Sequence, residues 1–146
     1  GEQPVLSGSF NPGNGWQEAS FKTPVTGRYV CLEAIDAING GKTASIAELY
    51  LLDNNGQRLS REPWTVFYAD SEDMKKSNCS ADKVFDLQES TYWKTAKNID
   101  FPHHIVIDLG NTQTVTGLQY LPRMESDVPG AIKNYRIYVS ENPFKL

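Results

Sequence analysis

A chain of 146 residues has the length of one domain and by size scaling buries roughly 68–70% of its unfolded surface, so neither metal nor disulfide is needed merely to supply a core. At 39% hydrophobic and 22% charged residues it reads as a soluble globular protein, and no apolar run approaches the ~20 residues of a membrane span. The net charge of −4, with scattered rather than striped lysines and arginines, argues against a nucleic-acid partner.

The two cysteines, Cys31 and Cys79, fit neither a zinc site nor a disulfide framework, which leaves two thiols or a single bridge. Gly1 opens no secretory signal pattern, and a chain beginning Gly-Glu-Gln reads as a piece of something longer.

Along the chain, short β-branched and aromatic segments alternate with turn residues. "GRYVCLEAI" (27–35) follows a Pro-Val-Thr-Gly turn and predicts a strand. "SIAELYLLDNNGQRL" (45–59) has helical propensity in its first half, but Asn55-Gly56 between two apolar stretches is the stronger signal, for a hairpin. Residues 54–66 form a polar connector between two strand-rich halves. "HHIVIDLG" (103–110), "TVTGLQYLP" (114–122) and "NYRIYVS" (134–140) predict three more strands, each bounded by Gly, Pro or Asn. The unbroken run Ile105-Val106-Ile107 predicts a strand covered on both faces. No amphipathic helix longer than about two turns is indicated. Many short strands with turns between them predict an all-β protein, an antiparallel β-sandwich or barrel forming one domain over 1–146.

Catalytic patterns are missing. "NGGKT" (39–43) echoes the tail of a phosphate-binding loop, but Asp36 stands where its first glycine belongs. "SGSFNPG" (7–13) lacks the spacing of a nucleophile elbow. His103 and His104, adjacent on a strand, leave on opposite faces and cannot share a metal. Asp70, Glu72 and Asp73 read as a solvated acidic surface, and nothing arranges the two carboxyls about 5–5.5 Å apart that a retaining glycosidase needs.

Several stretches together resemble a known family. "ADKVFDLQESTYWKT" (81–95), "HHIVIDLG", "VTGLQYLPRM" (115–124) and "GAIKNYRIYVS" (130–140) are similar to the first half of the discoidin, or coagulation-factor V/VIII type C, domain. "PVLSGSF" (4–10), "FKTPVTGRYVCLEA" (21–34) and "ASIAELYLL" (44–52) are similar to its second half. The resemblance is closest to carbohydrate-binding modules of family 32, and it implies a discoidin-like jelly roll, galactose-binding-domain-like. The halves come in reversed order: 1–53 resembles the second half, 54–63 connects, and 64–146 resembles the first. Circular permutation accounts for this, since domain termini often lie close together, as does a sequence running across two neighbouring copies.

The resemblance also implies a structural calcium ion. Its ligands would be the carbonyls of Lys83, Gln88, Thr91 and Ala47, the carboxylates of Asp86 and Glu48, and the Thr91 hydroxyl. That makes about seven oxygens, within the ~6–8 that Ca²⁺ takes, and an all-oxygen shell suits a hard cation rather than zinc. Leu87 stands where the family has glycine and is expected to avoid the positive φ that glycine tolerates. Trp93 is expected in the core beside this loop.

For sugar binding, Arg123 matches the arginine of galactose-binding members, whose planar fork can hold two adjacent hydroxyls. Lys94 replaces a histidine and Lys97 an aromatic that stacks on the sugar, while a glutamate position falls near Ser77 or Asn78. One of the four contacts is kept, which implies a different glycan or an idle pocket rather than the common galactose site. Trp16, in "NPGNGWQ" (11–17), is the other candidate stacking surface, and "DAINGGKT" (36–43) adds amides and Lys42. A shallow site with Kd near 1 mM is worth only about −4 kcal/mol and needs multivalency. The resemblance thus implies a non-catalytic, calcium-stabilised carbohydrate-binding module. It would belong to a bacterial secreted, periplasmic or cell-surface glycan-degrading enzyme, a hexosaminidase-like one among the candidates, with a catalytic domain in the same parent chain. The alternative is a structural or protein-docking domain whose sugar site has decayed.

Overall fold

The computed structural model describes residues 3–12, 15–38, 40–75, 77–123 and 131–145. The described residues form eight strands, in chain order β1 (Leu6–Ser9), β2 (Gln17–Ala34), β3 (Ser45–Ile46), β4 (Glu48–Leu52), β5 (Thr65–Ala69), β6 (Trp93–Lys94), β7 (His103–Leu121) and β8 (Asn134–Ser140). The one helical element among the described residues is a 3-10 helix, Ala81–Phe85.

The main sheet runs β1-β8-β2-β7-β4, with β5 also on β7, and β3 and β6 make a second, short ladder; every pairing is antiparallel. β7 carries the architecture. Its first half pairs with β5 (Ile107 opposite Val66) and its second half with β4 (Leu118 opposite Leu51), while β2 follows it along both. Register shifts in the β2–β7 ladder fall between Ser20 and Val25 and between Gly27 and Tyr29, and Gly110 takes φ 85. These irregularities let one pair of strands serve both layers of a sandwich. A Cβ on Gly110 would meet the Pro63 carbonyl at 2.9 Å, so that glycine is required twice over, by its dihedral and by the connector lying against it. Val30, Leu32, Ile105 and Ile107 from one layer meet Leu49, Leu51 and Leu118 from the other within one continuous core.

Strand alternation explains the apolar run at 105–107. Ile105 and Ile107 enter the main core, while Val106 faces outward into a second cluster with Tyr29 and Cys31, beneath Tyr138 and Phe144. The strand expected over 27–35 begins earlier, at Gln17, and the two expected at 103–110 and 114–122 are the single β7, because Gly110 bends the chain without ending the ladder. The Asn55-Gly56 hairpin forms and the competing helix does not. The Asp53 amide donates to the Gln57 carbonyl at 2.7 Å, the Leu59 amide to the Leu51 carbonyl at 2.8 Å, and Gly56 takes φ 76. Cys31 and Cys79 are both buried thiols, not joined in a disulfide. No helix of the described residues is long and apolar enough to cross a membrane.

Candidate functional site

The 3-10 helix ends at Asp86, whose backbone (φ −92, ψ 6) turns the chain into the loop read as a cation cradle. Leu87 takes φ 66, the left-handed region it was expected to avoid. The residue is 77% exposed, and neighbouring bonds fix the turn around it. Asp86 Oδ1 accepts the Gln88 amide at 3.0 Å, and the Thr91 hydroxyl lies 2.5 Å from Asp86 Oδ2 and 3.1 Å from the Gln88 carbonyl. A non-glycine residue there costs about 1–2 kcal/mol, and such strain persists only where surrounding contacts over-determine the backbone.

Glu48, on the first residue of β4, faces this loop and is only 2% exposed. Its Oε1 accepts from Arg61 Nη2 at 3.1 Å, whereas Oε2 is shielded from solvent and has no hydrogen-bond partner among the described residues. Burial pushes its carboxyl up to about 7, with Arg61 opposing and the charges of Asp86 and Glu89 adding to the rise. Ala47 is fully buried, its amide on the Leu121 carbonyl, and Lys83 sits half-buried within the 3-10 helix. The fold therefore brings the Ala47-Glu48 pair to the loop 83–91. An orphaned, buried carboxylate oxygen beside a second carboxylate and a set of carbonyl and hydroxyl oxygens fits a hard cation. No group of three or more His, Cys, Asp and Glu that could hold a metal occurs among the described residues, so backbone oxygens would have to complete the shell.

Arg61 has no counterpart in the sequence reading, which took its segment for a polar connector. It is 8% exposed. Nη1 donates to the carbonyls of Leu49 and Val84, both at 3.1 Å; Nη2 donates to Glu48 and, at 2.9 Å, to the Tyr50 hydroxyl. The guanidinium also lies 3.8 Å from the Tyr50 ring centroid. One side chain thus ties the connector, β4 and the 3-10 helix together, and no local pattern around "SREP" marks it.

Beside the cradle, a cleft of about 240 Å³ is lined by Arg123, Lys94, Lys97, Tyr92, Asp73, Ser77 and Cys79. Alternation on β6 sends Trp93 into the core, its Nε1 donating to the Ser71 carbonyl at 2.9 Å, and Lys94 outward to Asp73 at 3.4 Å. Backbone bonds brace the walls: the Asp73 amide donates to the Lys94 carbonyl at 2.8 Å and the Lys94 amide to the Cys79 carbonyl at 3.2 Å. Arg123, two residues beyond the end of β7, lies with its guanidinium 4.1 Å from the Tyr92 ring centroid. The Lys75 amide holds the Asp73 carboxyl below the usual range, against partial burial and with help from Lys94. Three of the four proposed sugar contacts therefore converge. The fourth, Trp16, does not line the cleft: it packs on Tyr50 (ring centroids 5.8 Å apart) with Arg58 4.8 Å from its ring.

The acids read as a solvated surface are each engaged. Glu72 accepts the Ala81 amide at 2.7 Å, Asp73 pairs with Lys94, and Asp70 holds the first two residues of β7. Asp70 Oδ1 accepts the His104 amide at 2.7 Å, and Oδ2 faces His103 Nδ1 at 2.8 Å. His103 is fully buried, and its Nε2 meets the Lys42 carbonyl at 2.5 Å. A carbonyl can only accept, so Nε2 carries a hydrogen, and the carboxylate draws a second onto Nδ1. Burial works against that charge, but the Asp70 and Lys42 bonds and the Asp70 charge outweigh it and raise the imidazole's pKa. His104 leaves the opposite face to Glu33 at 2.8 Å, as adjacency on a strand requires.

The family model of the F5/8 type C domain matches residues 67–145. A sialidase of Micromonospora viridifaciens is 39% identical over 88 residues, covering 58% of this chain and 13% of that protein. A galactose oxidase of Gibberella zeae is 31% identical over 91 residues, covering 60% of this chain and 13% of that protein. The match thus spans a small fraction of either relative's length.

Proposed function

The chain belongs to the F5/8 type C domain family, with more than half its residues inside the match, and from that premise we propose that it is a non-catalytic carbohydrate-binding module. The observation that carries this reading is the cleft in which Arg123, Lys94 and Lys97 meet beside Tyr92. Both relatives are named for enzymes of sugar chemistry, which supports a glycan ligand and a catalytic domain elsewhere in the parent chain. The parent is proposed to be a secreted, periplasmic or cell-surface bacterial glycan-degrading enzyme, hexosaminidase-like hydrolases included.

Structural calcium is part of the proposal. Asp86, Glu48 and the Thr91 hydroxyl, with the carbonyls of Lys83, Gln88, Thr91 and Ala47, would hold it. When bound, the ion would supply positive charge beside Glu48 Oε2, which has no hydrogen-bond partner among the described residues, and beside the Asp86 carboxylate. Circular permutation is proposed as well, on the ground that β2, from 1–53, lies between β7 and β8 and so the two segments share one sheet. A chain rejoined in the family's order should melt at a similar temperature; failure to fold would exclude that account.

The function is tested on a glycan array. Binding that is lost in Arg123→Ala, with an unchanged melting temperature, is the expected result. Silence across the array favours the structural or protein-docking reading. Calcium is tested by titration of the chelator-stripped chain, where Asp86→Ala and Glu48→Ala should each abolish the heat. A stripped chain that neither takes up calcium nor gains stability from it removes the ion from the proposal.

A further inference from the structure

Among the described residues, the charge lining the cleft runs against the charge of the chain. The protein carries −4 overall, yet the described side chains around this opening include three cations, Lys94, Lys97 and Arg123, and one carboxylate, Asp73. Asp73 is matched to one of them by its 3.4 Å pair with Lys94, and it spends Oδ1 on the Lys75 amide at 3.2 Å.

The hydrogen-bonding character leans the same way, toward donors. Lysine and arginine offer donors and no acceptors. The side-chain oxygen acceptors on the described lining are Asp73, already engaged, and two hydroxyls that can also donate, those of Tyr92 and of Ser77, the latter 3.5 Å from Cys79 Sγ. A neutral sugar presents hydroxyls that both give and take, and it gains most from an aromatic plate beneath its apolar face. Here the Arg123 guanidinium lies over the Tyr92 ring at 4.1 Å, and Trp16 stands in a different stack. A carboxylate or sulfate presents acceptors only, the complement of this lining, and ammonium and guanidinium donors bind it through charge-assisted bonds. At about 240 Å³ the cleft lies below the usual ~300–1,000 Å³ of small-molecule sites, room for one substituted sugar unit rather than a long stretch of chain.

We infer that the cleft selects an anionic saccharide, a sugar unit bearing a carboxylate or a sulfate ester, with Lys94, Lys97 and Arg123 around the charged group. This rests on the sugar-binding reading above and names its ligand class. It ascribes the two lysines to ligand choice rather than to decay of the site.

The test is an array of matched oligosaccharides, each in a neutral form, as its uronate and as its sulfate ester, followed by calorimetric titration of the full chain. The acidic forms should bind at least about tenfold tighter than their neutral partners, a difference of about 1.4 kcal/mol, and the preference should shrink as salt is raised. The uronate and sulfate arms distinguish the two sources of charge. Lys97 is exposed, so Lys97→Ala should keep its melting temperature while lowering affinity for the acidic form several-fold, and Lys97→Glu should abolish the preference. Equal binding of neutral and acidic partners overturns this inference and leaves the sugar-binding module standing. Acidic binding indifferent to both Lys97 variants places the ligand elsewhere and also overturns it. Absence of binding to every form overturns both.

Discussion

The buried pair of His103 and Asp70 makes the stability of this domain depend on pH with a definite sign. The perturbation is Asp70→Asn, which retains an oxygen for the His104 amide but removes the charge facing Nδ1. The imidazole's folded pKa is raised above its unfolded value of about 6.5. Its contribution is therefore fully present below about pH 6.5 and is lost as pH rises through the folded pKa. Below that window, hydrogen bonds to charged groups are worth about 1.5–3 kcal/mol, so Asp70→Asn should cost about that much. At roughly 2–4 °C per kcal/mol for a domain of this size, melting should fall by roughly 3–12 °C.

Above the window the logic inverts. Deprotonated His103 keeps its hydrogen on Nε2 for the Lys42 carbonyl and turns a lone pair on Nδ1 toward the Asp70 carboxylate, whereas an asparagine amide could donate to that lone pair. The cost of Asp70→Asn should thus shrink with rising pH and approach zero. Urea unfolding of both proteins across the window measures this directly, and nitrogen shifts of the imidazole report its charge. Among the described residues, Asp100 is the other ionisable group whose charge acts on the ring, adding to the rise, while His104 leaves the opposite face to Glu33. A cost independent of pH, or wild-type stability rising through the window relative to Asp70→Asn, would refute the assignment.

Arg61→Met should lower stability by about 3 kcal/mol or more, because it strips a buried carboxylate and two carbonyls of their donor. Adding Glu48→Gln should recover part of that loss, and a double variant no better than the single one would contradict the pairing. Leu87→Gly should stabilise by a few tenths of a kcal/mol in urea unfolding, since about 1–2 kcal/mol of left-handed strain outweighs glycine's ~0.5–1 kcal/mol of backbone entropy; a clear loss would mean the loop does not hold φ 66. Gly110→Ala should destabilise by about 2 kcal/mol or more, through its φ of 85 and the 2.9 Å approach to Pro63, and an unchanged denaturation midpoint would mean the connector does not lie there.

What the sequence determined by itself is the set of faces. Unbroken apolar residues at 105–107 specified a strand buried on both sides, Asn55-Gly56 specified the hairpin over a competing helix, and adjacency sent His103 and His104 apart. These are local matters of period and dihedral preference, written in neighbouring residues. Which residues meet was decided by the tertiary structure. Arg61 reaches Glu48 and Val84 because the connector turns back under β4, and Lys94 meets Asp73 because β6 sits beside the 73–79 bridge. Leu87 holds a conformation that leucine alone disfavours because Asp86 and Thr91 hold the loop around it. Strand register and loop closure bring distant residues within a few ångströms, and local preference does not encode a distance between segments that touch only once the sheet has formed.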